Sequence, residues 1–132
     1  RRSRVEGVIH GVGTDIVKVA RLDDALTRHG ARFAERILDQ SERSAFEAAR
    51  DPARLLAKRF AAKEAFGKAL GTGVAAPATL HAVRVGHDAL GKPLFEFSPA
   101  LAAYMQARGY VAHLSLSDEV DYVVAFAVIE KP

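Results

Sequence analysis

Between Pro52 and Gly71 the chain runs 18 residues without a proline and with one glycine, Gly67. Asp51 suits the residue that caps a first helical turn, Pro52 the first helical position, and Gly71 the left-handed residue that ends a helix. Leu55, Leu56, Phe60, Ala65, Phe66, Ala69 and Leu70 are mostly spaced to give an inward face. The stretch therefore predicts one long, alanine-rich helix. Arg59, Lys63, Glu64 and Lys68 interrupt it as an arc of polar residues, not as a full outer face.

The flanking segments read as shorter elements. Val5 to Val12 is strand-like, punctuated by Gly7, Gly11 and Gly13, and it delivers Asp15 at its mouth. Helical spacing begins at Val17 and stops at Gly30, then resumes from Arg32 to Leu38. Asp39 and Glu42 resemble a capping pair that opens a short helix through Arg50. Thr72 to Pro77 is a loop. Leu80 to Gly86 and Leu94 to Phe97 form a hairpin around Gly91, and Ser98-Pro99 opens a helix ending near Gly109. Tyr110 to Ser117 and Tyr122 to Glu130 are the last strands. The order β-α-α-α-β-β-α-β-β favours an α+β fold with an antiparallel sheet packed on the long helix. Residues 1–132 suit a single domain, with residues 1–4 a basic arm.

Charge and composition narrow the function. Of 19 basic residues, Arg1, Arg2 and Arg4 belong to the arm, so the body is neutral against 16 acids. That balance argues against a nucleic-acid partner. No apolar run approaches the ~20 residues of a membrane span, which predicts no membrane partner. The absence of cysteine removes disulfides, thiolate metal sites and cysteine nucleophiles, and it fits a reducing cytoplasm. Neither a Gly-x-Ser-x-Gly elbow nor a phosphate-cradling Gly-x-x-x-x-Gly-Lys-Ser/Thr loop occurs. His10 and His113 fall in strands as packed imidazoles, and His29, His81 and His87 lack metal-ligand spacing.

Asp15, Glu64 and Lys68 carry the chemistry. Glu64 and Lys68 are four apart and share a helix face. Singly, each has an ordinary explanation: Asp15 as a turn residue, Glu64 with Lys68 as a solvent-facing pair, Arg59 with Lys63 as a solvated basic stripe. Together, two carboxylates and a lysine beside the glycine-bearing turn Gly71-Thr72-Gly73 suit a magnesium-assisted reaction on a phosphate ester. The turn would add N–H donors and the lysine positive charge.

Longer motifs sharpen this expectation. They are Gly11-Val-Gly-Thr-Asp15-Ile-Val followed by Arg21, Phe33-Ala-Glu-Arg-Ile-Leu38 with Ser41-Glu42, and Arg59-Phe-Ala-Ala-Lys-Glu-Ala-Phe-Gly-Lys-Ala-Leu-Gly-Thr-Gly73. Gly91-Lys92-Pro93, Leu114-Ser-Leu-Ser117 and the closing strand through Glu130 complete the set. With them the chain resembles the holo-acyl-carrier-protein synthases, the small bacterial 4′-phosphopantetheinyl transferases, over roughly residues 6 to 130.

The resemblance implies transfer of phosphopantetheine from coenzyme A to a serine of apo-acyl carrier protein, releasing adenosine 3′,5′-bisphosphate, in support of fatty acid biosynthesis in the cytoplasm. It implies Asp15 and Glu64 as Mg²⁺ ligands and, with Lys68, as the catalytic set. Arg59, Lys63, Lys68, Gly71, Thr72, Gly73, Pro93 and Ser117 would border coenzyme A. Arg21, Arg28 and Arg32 would be docking charges for an acidic carrier. The family's homotrimer is also implied, and Val123, Ala125, Ala127 and Ile129 suit either its centre or a monomer core. One departure stands out: many members carry a histidine where this chain has Asp118. The alternative is a non-catalytic module that binds an acidic partner through the arginine-bearing first helix.

Overall fold

The chain alternates direction around one buried helix. In this computed structural model, which describes residues 7–132, β1 (Val8–Lys18) leads into α1 (Val19–His29) and α2 (Ala31–Ile37). A 3-10 turn (Gln40–Glu42), α3 (Arg43–Ala48) and α4 (Pro52–Leu70) follow. Then come β2 (Val83–His87), β3 (Pro93–Phe97), α5 (Pro99–Arg108), β4 (Val111–Asp118) and β5 (Tyr122–Lys131). The basic arm and the expected strand start at Val5 lie outside the described residues.

α4 begins and ends as its termini dictate. Asp51 Oδ1 accepts the Arg54 amide at 3.1 Å, Pro52 sits in the first turn, and Gly71 closes the helix at φ 98°. Twelve of its 19 residues are buried, so it packs on several sides and not along one stripe. Phe66 is fully buried against the β2–β3 hairpin, with ring centroids 5.1 Å from Phe95 and 5.2 Å from Phe97.

The strands form two antiparallel sheets where one was expected: β1-β5-β4, and the β2–β3 hairpin by itself. β1 also runs further than the sequence indicates. It continues through Thr14 and Asp15 to Lys18, because each pairs with β5, Asp15 opposite Ala125. Asp15 is therefore a mid-strand residue, not a turn residue. A register shift between Ile9 and Gly11 leaves His10 bulged, and its Nε2 lies 3.1 Å from the Leu70 carbonyl at the end of α4.

β1 and α4 touch backbone to backbone. A Cβ at Gly11 or Gly13 would collide with the carbonyl oxygens of Ala69 and Ala65 respectively. On β5, Val123, Ala125, Ala127 and Ile129 are fully buried beneath α4, so these four belong to the core of this protomer. The opposite face of the sheet stays open, with Val12, Ile16 and Phe126 exposed.

Candidate active site

Strand alternation decides which β1 residues meet α4. Gly11, Gly13, Asp15 and Val17 oppose the buried positions of β5, while Val12, Thr14 and Ile16 point away. Asp15 thus enters the β1–α4 seam, where Lys68 Nζ lies 3.4 Å from Asp15 Oδ1 and donates to the Thr14 carbonyl at 2.8 Å. Glu64, one turn before Lys68, is half-buried. Burial pushes its carboxyl above the usual range, the Asp15 charge adds to that, and Lys68 pulls the other way. Glu64 thus stands one helical turn from the lysine that reaches Asp15, and the Asp15 charge acts on its carboxyl.

Such a pair is what a small divalent cation relieves. Among the described residues no group of three or more histidine, cysteine or acidic side chains is placed to hold a metal. A cation at Asp15 and Glu64 would complete its shell with substrate oxygens and water. That donor set fits Mg²⁺, which keeps its waters and takes one or two carboxylates.

The turn after α4 differs from expectation. Gly71, Thr72 and Gly73 are exposed, but the amides of Gly71 and Gly73 both donate to the Gly67 carbonyl at 3.0 Å. These two N–H groups are spent inside the turn. The same contact explains the glycine within α4, since a Cβ at Gly67 would strike Gly73.

Arg59 and Lys63 are corrected more strongly. Neither is part of a solvated stripe: Arg59 is 7% exposed and Lys63 is 0% exposed. Lys63 Nζ donates to Glu42 Oε1 and to the Leu80 carbonyl, each at 2.6 Å, so it is committed to the interior and not open to a coenzyme A phosphate. Burial pulls its ammonium below the usual lysine range, against the Glu42 charge. Arg59 donates to Glu42 Oε2 at 3.2 Å yet also lines a cavity of about 260 Å³ with Arg54, Lys58, His87 and Leu116.

Asp118 stands on the same side of β4 as Leu116 and is engaged by two cations. Lys58 Nζ lies 2.9 Å from its Oδ2, and Arg54 donates to its Oδ1 and to the carbonyls of Glu119 and Val120. The Lys58 hydrogen bond leads in holding the Asp118 carboxyl below the usual range, against burial and with help from Arg54. Its charge is thus answered locally. Pro93 starts β3 opposite His87, next to this cavity. Ser117 points to the outer face, opposite Val124, so within this protomer it does not approach Glu64.

A sequence profile of the 4′-phosphopantetheinyl transferase superfamily matches residues 11–127, which includes Asp15, Glu64 and Lys68. The chain belongs to this family. The holo-[acyl-carrier-protein] synthase of Azoarcus sp. (strain BH72) is 71% identical over 93% of this chain and 98% of that protein. The crystal structure of the Neisseria meningitidis holo-[acyl-carrier-protein] synthase matches with a TM-score of 0.88 at 47% identity, over 92% of this chain and 98% of that one. A Bacillus anthracis holo-(acyl-carrier-protein) synthase, solved in complex with CoA (3′,5′-ADP), matches with a TM-score of 0.80 at 32% identity, over 95% of this chain and 99% of that one.

This phosphopantetheinyl transferase presents Arg21, Arg28, Arg32 and Arg36 on an exposed surface. Arg28 and Arg32 line a cavity of about 330 Å³ with His29, Phe33 and Arg36. Arg21 and Arg36 border an adjoining apolar groove of about 380 Å³ floored by Leu22, Phe33, Ile37 and Phe60. Phe60 is one turn before Glu64, and Val17, which also lines the groove, is two residues past Asp15 on the same strand face. The surface therefore leads to the two carboxylates.

Three roles went unread in the sequence: Arg36 beside Arg32, Glu42 as a partner for cations, and Lys58 with Arg54 at Asp118. Arg36 was readable, since it follows Arg32 by one helical turn. The partners of Lys58 and Lys63 lie far along the chain, and no local pattern announces them.

Proposed function

We propose that this chain is a Mg²⁺-dependent holo-[acyl-carrier-protein] synthase that transfers 4′-phosphopantetheine from coenzyme A to a serine hydroxyl of apo-acyl carrier protein, in support of fatty acid biosynthesis. The observation that carries the reading is the contact of Lys68 with Asp15 across the β1–α4 seam, with Glu64 one helical turn before that lysine. Mg²⁺ held by Asp15 and Glu64 would supply positive charge to the pyrophosphate oxygens as the phosphoryl group is attacked. Lys68 would neutralise charge developing on that group. Arg59 and the 71–73 turn would border the coenzyme A phosphates, with Thr72 the polar side chain of that turn, and Pro93 the nucleotide. Ser117 would reach coenzyme A only from a neighbouring copy.

Arg21, Arg28 and Arg32, with Arg36, would receive the acidic carrier, and the apolar groove would align it toward Glu64. The open sheet face with Val12, Ile16 and Phe126 is an exposed apolar surface that would be covered between copies of the chain in the homotrimer. The absence of cysteine fits the cytoplasm, and among the described residues no helix is long and apolar enough to cross a membrane. Mass spectrometry of an apo-carrier after incubation with coenzyme A and Mg²⁺ tests the reading. A phosphopantetheine increment on the serine is expected, and an unmodified carrier across candidate acceptors refutes it.

A further inference from the structure

Among the described residues, three charged side chains are buried, and all three meet at one point: Glu42 at 3% exposure, Arg59 at 7% and Lys63 at 0%. Glu42 accepts four hydrogen bonds. Oε1 takes Lys63 Nζ at 2.6 Å and the Asp39 amide at 3.0 Å, while Oε2 takes the Arg59 guanidinium and the Val85 amide, each at 3.2 Å. One carboxylate thus ties α4, at two residues a turn apart, to β2 and to the 3-10 turn. Burying three ions is costly, and apolar residues of similar volume usually stabilise a core as well or better. Stability alone gives little reason for the cluster.

We propose that Glu42 is a positioning residue for the Asp15–Glu64 pair, an inference that rests on the metal reading above. Lys63 directly precedes Glu64, and successive helical side chains are about 100° apart. Holding Lys63 toward Glu42 therefore sets where Glu64 points. A second hold at Arg59 stops α4 from sliding or rotating about the first. On the opposite side Gly11 and Gly13 let β1 lie against the Ala69 and Ala65 carbonyls. α4 is gripped from two directions, and the separation of Glu64 from Asp15 is what the two grips together determine.

The test compares wild-type protein with Glu42→Gln and with the double variant Glu42→Gln/Lys63→Met. Melting temperature is measured with Mn²⁺ affinity in saturating coenzyme A, the latter by electron paramagnetic resonance. The amide of Glu42→Gln sets a donor against the Arg59 or Val85 donors, so this variant melts lower. The double variant removes the buried ammonium and regains stability. In both, the folded protein is expected to bind Mn²⁺ at least tenfold more weakly than wild type. If Glu42→Gln does not fold, the double variant carries the same expectation. Wild-type Mn²⁺ affinity in either folded variant would make Glu42 merely structural and overturn the inference. A wild-type protein that modifies its carrier yet binds no Mn²⁺ with coenzyme A would remove the metal reading and this inference with it.

Discussion

Lys68 Nζ lies 3.4 Å from Asp15 Oδ1 across 53 positions of sequence, and it is half exposed where Asp15 is mostly covered. An ion pair this open contributes under about 1 kcal/mol to folding. Its charge is placed for chemistry more than for stability. Lys68→Met is expected to lower turnover at least tenfold while moving the melting temperature by no more than a few degrees, measured by carrier modification and by calorimetry. A large loss of stability with turnover preserved would contradict the role given to Lys68.

Glu64 predicts a gain of stability on loss of function. Its carboxyl is raised in the folded protein, by burial first and by Asp15 second. The charged form is therefore penalised on folding at any pH above that raised value, and the penalty vanishes at acid pH where both states are protonated. Glu64→Gln should melt higher than wild type at neutral pH in the absence of metal, and the difference should close as pH falls through the carboxylate range. Turnover should drop at least tenfold.

Asp118 runs the opposite way. Lys58, with Arg54, holds its carboxyl low, so its contribution is present above the ordinary aspartate value and is lost as pH falls through the lowered one. Asp118→Asn should melt a few degrees lower than wild type at neutral pH, with the gap closing in acid. A pH-independent gap would mean that the ion pairs do not cause it.

Gly13→Ala places a methyl group against the Ala65 carbonyl, where only backbone can yield. We expect a loss of roughly 1–3 kcal/mol in urea unfolding, as for other overpacked sites. Turnover should fall further than stability explains, because β1 carries Asp15 away from α4.

Carrier affinity should weaken as salt rises, through screening of the exposed arginines. Arg21→Glu and Arg32→Glu should each raise the KM for carrier several-fold with the KM for coenzyme A unchanged. Equal affinity at low and high salt would discard this surface as the dock.

Local chemistry was legible in the sequence. Asp51, Pro52 and Gly71 bound α4 as their side chains and backbones dictate, and the Asp39–Glu42 capping pair forms as its spacing indicates. Pairing was not. Glycine and aspartate are poor strand formers, yet hydrogen bonding to β5 carries β1 past Gly13 and Asp15 to Lys18. Alternation picked out Val123, Ala125, Ala127 and Ile129 but left open whether they pack a centre between subunits or the core of one protomer, and contact with α4 places them in the core. Arg59 and Lys63 looked like surface charges because Glu42, which takes them inside, is 17 and 21 positions away. The link between Asp15 and Glu64 was visible through family likeness, since nothing in their spacing predicts that they meet.

The two sides of β1 impose different demands on one short stretch of backbone: Gly11, Gly13 and Asp15 serve the seam, while Val12 and Ile16 serve the open side. Inserting or deleting a single residue there would transpose the sides at a stroke, sending the acid outward and a bulky aliphatic into a gap sized for hydrogen. A change of length is thus closed to this strand, and only substitutions that keep the count leave both sides in place.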